Sequence, residues 1–181
     1  LQRNPDLSPP SPTVSVPKTP GAAPVFPISK TEVRFNQPDR ANRFTSVCGP
    51  NVYRDDVLGD ELQGNIFICE PVHNLVSRQV VEAHGATFVS DRHPSEKESE
   101  FFASTDNWSH PVSMRTGPDG AIWVADMYRR VIEHPEWIPV DRRKEVEIRG
   151  GDDLGRIYRI VPDDESKIEI PKLDQLDNAA L

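Results

Sequence analysis

Residues 120–135, GAIWVADMYRRVIEHP, decide the fold prediction when they are set beside residues 64–80, GNIFICEPVHNLVSRQV. Each segment opens with a glycine, continues with a short apolar strand and reaches an acidic residue, Asp126 or Glu70, at the end of that strand. A return segment follows in both copies. Repetition of one supersecondary unit in this way is typical of β-propeller blades.

Further short strands are predicted around the two copies. Phe44–Cys48 is expected to end at Gly49–Pro50, and Pro111–Arg115 leads through a Gly-Pro-Asp-Gly turn into the strand of residues 121–126. The remaining candidates are residues 65–69, 75–81, 86–90, 100–103 and 156–161. Residues 127–134 are predicted to form two helical turns. Many short strands with Gly and Pro turns indicate a sandwich, a barrel or a propeller, and the repeat favours the propeller.

The chain divides into three parts by composition. Residues 1–25 are rich in proline, which removes backbone donors and predicts an extended segment or linker. Residues 26–165 carry the strands and are predicted to be propeller blades. Residues 166–181 are predicted to be a linker and the start of a helix, because Leu173, Leu176, Ala180 and Leu181 have roughly helical spacing. The fold class is therefore all-β, a partial β-propeller of two or three blades.

Charge and cysteine content narrow the function classes. The net charge of −8 argues against a nucleic-acid partner, because phosphate binding requires a basic face. No apolar run reaches the roughly 18 residues of a membrane span. The two cysteines, Cys48 and Cys69, do not have the Cys-x-x-Cys spacing of a metal or haem motif, so they form one disulfide or remain as two buried thiols.

Three longer stretches carry a family resemblance. They are residues 43–81, RFTSVCGPNVYRDDVLGDELQGNIFICEPVHNLVSRQVV, residues 101–139, FFASTDNWSHPVSMRTGPDGAIWVADMYRRVIEHPEWIP, and residues 150–162, GGDDLGRIYRIVP. Together they resemble the planctomycete-type membrane-bound dehydrogenases, whose propeller is similar to those of sorbosone and soluble quinoprotein glucose dehydrogenases. The similarity runs from about Phe26 to Pro162.

The resemblance implies a larger protein. Such proteins carry earlier blades upstream, helical repeats downstream and a C-terminal c-type haem domain with a Cys-x-x-Cys-His motif, which residues 1–181 lack. The expected partners of this chain are therefore the remaining blades, the helical repeats and the haem domain. By the same analogy the cofactors are a quinone of the PQQ type and calcium. The expected location is periplasmic or extracellular, with membrane association through the parent protein.

Three loops are expected to share one face of the predicted propeller. In that fold the loops joining the second and third strands of each blade lie beside the loops between blades, an argument from fold analogy. Here these loops are residues 70–74, residues 106–110 and the segment that starts at Asp126.

The candidate catalytic residues on this face are His73, His110 and Arg129. An unperturbed histidine suits proton transfer near neutral pH, and the arginine fork suits a developing negative charge or a cofactor carboxylate. Each has a structural alternative: the histidines can bond a neighbouring carbonyl group, and Arg129 can pair with Glu133.

The candidate cofactor-binding residues are Glu70, Asn74, Asp106, Trp108, Asp126 and Tyr128. Glu70 and Asp126 either contribute to a calcium site or cap the backbone donors of their loops. Trp108 either stacks on a sugar or quinone or anchors its loop, whereas Trp123 is expected in the core. No metal ligand is assigned.

Two functional hypotheses follow. In the first, the chain is the propeller part of a dehydrogenase that oxidises an alcohol or sugar and passes electrons to a haem elsewhere in the protein. In the second, the same face binds a carbohydrate or a protein partner without chemistry.

Overall fold

The computed structural model describes residues 23–30, 42–164, 172–175 and 177. The predicted Pro-rich segment therefore lies almost wholly outside the described residues. So does most of the predicted C-terminal helix, of which Leu173–Gln175 forms a single 3-10 turn. No described helix is long and apolar enough to cross a membrane.

The described chain is mostly antiparallel β-structure in two sheets, which confirms the all-β prediction. The first sheet has the order β1-β2-β3-β4, with β5 paired to β3, and the second has the order β6-β7-β8. Neither sheet closes on itself. The strands are β1 (Cys48–Val52), β2 (Ile66–Glu70), β3 (Leu75–His84), β4 (Thr87–Arg92), β5 (Phe102–Ala103), β6 (Pro111–Thr116), β7 (Ile122–Asp126) and β8 (Arg156–Ile160).

Helical structure is confined to short elements between the strands. The one described α-helix is α1 (Val140–Arg143), and 3-10 turns lie at Asp60–Leu62, Pro71–His73, Pro94–Glu96 and Pro135–Trp137. Proline at the start of three of these turns fits a position where the missing N–H has no helical partner.

The two sheets share one apolar core. Phe67 of β2 and Val76 of β3 are buried with Met114 of β6 and Val124 of β7. The Tyr53 ring packs edge-on against Phe67 at a centroid distance of 6.5 Å. Its hydroxyl donates to the carbonyl oxygen of Gly120 at 2.8 Å and accepts from the Leu58 amide at 3.0 Å. Burial of these side chains stabilises the packing of the sheets against each other.

Gly49 lies where β1 and β6 approach most closely. Its φ of 56° is left-handed, and a Cβ added there would lie 2.7 Å from the Ser113 Cα and from the Val112 carbonyl oxygen. Only glycine satisfies both constraints. The prediction that a strand ends at Gly49–Pro50 was therefore wrong, since β1 runs through both residues. Pro50 is tolerated because β1 is an edge strand.

Two further sequence predictions were wrong. Trp123 is not in the core, because its ring lies on the outer face of the second sheet and is 37% exposed. Residues 127–134 do not form helical turns, since the left-handed φ of 49° at Tyr128 prevents a helix there. Of the two alternatives for the cysteines, this structure has the free thiols, with Cys69 buried and Cys48 half-buried.

Candidate functional site

The three loops predicted to share a face lie together between the two sheets. The Asn74 side-chain amide donates to the carbonyl oxygen of Ser109 at 2.5 Å and to that of Asn107 at 3.3 Å. The Arg129 amide donates to the Trp108 carbonyl oxygen at 2.9 Å. Side chains and backbone of the three loops therefore form one connected hydrogen-bond network.

Asp126 is the centre of that network. It is 3% exposed and ends β7. Its carboxylate accepts from the backbone amides of His110 at 2.6 Å and Tyr128 at 3.0 Å, and from the Ser109 hydroxyl at 2.9 Å. The Tyr158 hydroxyl donates to it at 3.3 Å. A buried carboxylate with several donors holds its loops in place.

Glu70 has the equivalent place at the end of β2 and is fully buried. Its carboxylate accepts from the backbone amides of Thr45 at 2.9 Å and Ser46 at 3.0 Å. The His73 Nδ1 lies 3.4 Å from Glu70 Oε1. The carboxylate thereby fastens residues 45–46 to the first sheet.

His73 and His110 both have their ring nitrogens occupied. His73 Nε2 accepts from the Asn42 amide at 2.9 Å. His110 Nδ1 lies 2.5 Å from the Pro71 carbonyl oxygen, and its Nε2 lies 3.0 Å from that of Arg129. Both rings are at most 6% exposed. Each histidine therefore bridges loop segments, and His110 does so through carbonyl groups as in the structural alternative, whereas His73 contacts a carboxylate and a backbone N–H.

Arg129 directs its guanidinium group at backbone oxygens. Nη1 donates to the carbonyl oxygens of Gly151 at 2.6 Å, Tyr128 at 3.1 Å and Met127 at 3.4 Å. These bonds join the loop after β7 to the turn that precedes β8.

Asn74 adopts a left-handed conformation, with a φ of 59°, at the end of the Pro71–His73 turn. Its side-chain oxygen accepts from the Ser29 hydroxyl at 2.7 Å, and its amide nitrogen crosses to the second sheet. Asparagine is one of the few non-glycine residues that adopt this conformation readily. Asn74, Ser109, His110 and Asp126 are here called the loop junction.

A second, partly exposed group lies on two of these loops and at the start of β8, and we call it the aromatic edge. It consists of Asp106, Trp108, Tyr128 and Arg156. The Trp108 and Tyr128 ring centroids are 5.8 Å apart, and the Arg156 guanidinium lies 3.8 Å from the Tyr128 centroid. Arg156 also lies 3.9 Å from Asp106, with both side chains at least 40% exposed. Partial desolvation and a hydrogen bond to Asp106 raise the pKa of the Tyr128 hydroxyl, whereas Arg156 opposes that rise.

Tyr128 is the most strained residue of the aromatic edge. A φ of 49° is uncommon for a bulky side chain and costs on the order of 1–3 kcal/mol. The conformation is held because the Tyr128 amide donates to Asp126 and because Gly151 leaves room beside the Tyr128 carbonyl group. Strain of this kind is concentrated at functional sites.

The cofactors implied by the resemblance do not fit the loop junction. The carboxylate oxygens of Glu70 and Asp126 already accept several hydrogen bonds. These two residues therefore cap the backbone donors of their loops, and their oxygens are not available as calcium ligands. Arg129, expected to hold a cofactor carboxylate, donates to three carbonyl oxygens instead. Within residues 23–30, 42–164, 172–175 and 177 no three His, Cys, Asp or Glu side chains are grouped as a metal site.

A cavity of about 430 Å³ lies beside the first sheet, away from the aromatic edge. The segment from Val25 to Ile28 lines one side of it, and residues 98–100 line another. Glu100, which is fully buried, accepts from the Phe26 amide at 2.9 Å and pairs with Arg92 at 2.9 Å. These contacts fasten the segment of residues 24–28 to the sheet.

Sequence reasoning missed Arg156 and Tyr158. Both belong to β8, which begins after Gly155. The local sequence of this strand does not indicate that its first residues contact loops from much earlier in the chain. Only the pairing of Asp126 with Arg156 across β7 and β8 reveals that position.

The fold and the loop contacts define an antiparallel, two-sheet β-domain whose loops meet at buried carboxylates. A family model described as a domain of unknown function (DUF7133) matches residues 1–164. The chain belongs to this family. A search of the curated proteins and a search of the solved structures gave no match to this chain.

Proposed function

We propose that the two sheets are neighbouring blades of a β-propeller in a larger exported protein, and that the aromatic edge binds carbohydrate. The observation that carries the proposal is the half-buried Tyr128, held in a strained conformation beside Trp108 and Arg156. Two tilted aromatic rings flanked by an acid and an arginine offer apolar contact to a sugar ring and hydrogen bonds to its hydroxyl groups.

The propeller assignment is supported by the arrangement of the sheets. The first sheet is an antiparallel meander of four strands with one added short strand, and the second packs on it through a shared core. Antiparallel sheets stacked in this manner are the unit of a propeller. The outer face of the second sheet carries Trp123 and Ile157, of which Ile157 is 70% exposed. A further blade would cover that face.

Binding is favoured over oxidation by the state of the candidate catalytic groups. A general base needs a nitrogen that is free to accept a proton, and both histidines have their nitrogens engaged. Arg129 donates through Nη1 to three carbonyl oxygens. The dehydrogenase hypothesis therefore lacks support from these three side chains, whereas the aromatic edge offers two half-buried rings beside the exposed Arg156.

The test uses the full-length protein that contains this chain, screened against an array of neutral and acidic oligosaccharides. We expect binding that falls at least tenfold in Trp108→Ala and in Tyr128→Gly. The glycine variant keeps the left-handed backbone, so a loss of binding reports the missing ring rather than a disturbed loop. Trp137→Ala is the matched control, because Trp137 is 67% exposed and lies outside the edge.

The same protein is assayed for dye-coupled oxidation of alcohols and sugars, with added quinone and calcium. No binding across the array, or binding unchanged in both edge variants, would refute the carbohydrate proposal. Turnover that is lost in His73→Ala and Arg129→Ala, with the fold intact, would favour the dehydrogenase instead.

A further inference from the structure

Cys48 and Cys69 face each other across the two strands that begin the first sheet. They are paired Cα partners in the antiparallel ladder of β1 and β2. Facing residues of such a ladder have Cα atoms about 4.5–5.5 Å apart and side chains on the same face. Disulfides span Cα distances of about 4.4–6.8 Å. The Cα spacing of a ladder pair therefore falls within the disulfide range, and in this structure both thiols are free and the register of the two strands shifts between Cys48 and Asn51.

The two thiols lie on the core side of the sheet. Cys69 is fully buried in the core cluster, and Cys48 packs against that cluster from the edge strand. Burial raises the pKa of Cys69 to about 12, and the neighbouring Cys48 adds to the rise. Burial, followed by the charge of Glu70, also raises the pKa of the Cys48 thiol. The thiolate, which attacks in exchange reactions, is therefore scarce in the folded chain at neutral pH.

We propose that Cys48 and Cys69 are a disulfide site that closes while the chain folds, before Cys69 is buried. The oxidant is a small-molecule or protein disulfide. One thiolate attacks a sulfur of that disulfide and releases a thiol, and the second cysteine then attacks the mixed disulfide and releases the other. One S–S bond forms in the chain, the S–S bond of the oxidant breaks, and both protons leave with the oxidant's two thiols.

A disulfide between Cys48 and Cys69 would fix the position of the part of β1 that contacts the second sheet. Gly49 directly follows Cys48 and has no space for a side chain between β1 and β6. A bond from Cys48 to the central strand β2 keeps Gly49 in that contact. The disulfide would thus act on the packing of both sheets rather than on β1 alone.

The test is a peptide map of the full-length protein after secretion into an oxidising compartment. Free thiols are blocked under denaturing conditions, and the protein is digested with trypsin without reduction. We expect residues 44–54 linked to residues 55–78, which Arg54 and Arg78 define as tryptic peptides. Two blocked cysteines at these positions would overturn the proposal. Cys48→Ala is the control, and it must leave Cys69 as a free thiol.

Two further readouts separate closure during folding from later oxidation. The protein made in a reducing cytosol and then treated with oxidised glutathione should keep both thiols for hours. Rapid oxidation of this folded form would overturn the timing. The unfolding equilibrium constant of the secreted form should be lower than that of the reduced form on the order of a hundredfold, and no such difference should appear in Cys48→Ala.

Discussion

The loop junction lies on all three loops, whereas the aromatic edge combines two of them with the start of β8, and the two groups differ in what their polar side chains contact. In the junction, Asp126 and Asn74 are buried and bonded to backbone atoms of several segments. In the edge, Asp106 and Arg156 are exposed, and Tyr128 has a strained backbone. The contrast teaches how structural side chains differ from side chains that can bind a ligand. The structural ones are hydrogen-bonded to several other segments of the chain, whereas the others keep polar groups accessible to solvent. Variants of each part test this division.

The largest effect is expected for Asp126→Ala. Removal of the carboxylate leaves the buried His110 amide and the Ser109 hydroxyl without their acceptor, so the free energy of unfolding should fall by about 3 to 4 kcal/mol. Denaturant titration of the full-length protein measures it. A loss below about 1 kcal/mol would mean that the junction does not stabilise the fold. Asp106→Ala is the matched control, and its loss should be smaller, about 1 kcal/mol, because Asp106 is 40% exposed and accepts from one backbone amide, that of Trp108.

A smaller loss is expected for Asn74→Gly. Glycine keeps the left-handed backbone, so the variant removes only the bonds from the side chain to Ser109, Asn107 and Ser29. We expect a loss of about 2 kcal/mol, again by denaturant titration. Hydrogen exchange should accelerate in residues 106–110 more than in β4, and equal acceleration would contradict a local bridge between the loops.

The variant Asp119→Asn measures how much a buried carboxylate outside the loop junction and the aromatic edge contributes to the free energy of unfolding. Burial by itself would raise the pKa of Asp119, but hydrogen bonds from Trp123 and Arg159 lower it below its ordinary value of 3.8. The ionised group therefore stabilises the fold above pH 3.8, and this contribution is lost as pH falls through the lower folded-state pKa.

The variant should accordingly be about 1 kcal/mol less stable near neutral pH, and the difference should shrink on acidification. Thermal unfolding of both proteins between neutral pH and pH 3 checks the sign. A difference that grows toward low pH would contradict the assigned hydrogen bonds.

The smallest effect on stability is expected for Tyr128→Gly. Relief of the left-handed strain offsets the lost ring contacts, so stability should stay within about 1 kcal/mol of the parent protein. Carbohydrate binding should nevertheless disappear. A large loss of stability would show that Tyr128 belongs with the junction, and the division between the two parts would fail.

The sequence predicted the strands well where turn residues bounded them. Gly120 is left-handed as expected, and β2, β6 and β7 lie within one or two residues of their predicted positions. The predictions failed at positions whose structure depends on contacts with other strands. Gly49–Pro50 resembles a strand end but continues β1, because the backbone of β6 excludes a side chain at Gly49. Trp123 resembles a core residue because neighbouring positions are apolar, yet alternation places its ring on the outer face.

The candidate site was predictable to a similar degree. Fold analogy brought the three loops together, and their contacts agree with that arrangement. The roles of His73, His110 and Arg129 could not be predicted, since most groups that contact them are backbone carbonyl and N–H groups, which carry no residue signature. The pairing of Arg156 with Tyr128 likewise depends on β8, which joins the sheet after residues 127–155.

That late pairing has a kinetic consequence. β7 is synthesised well before its neighbour β8, and a long connection must close before the two strands meet, which makes this step slower than formation of the β6–β7 hairpin. Until then the free edge of β7 and the apolar residues around it are open to other chains, and such intermediates aggregate readily. The speed at which residues 127–155 find their place therefore sets how much of the newly made chain escapes misassembly.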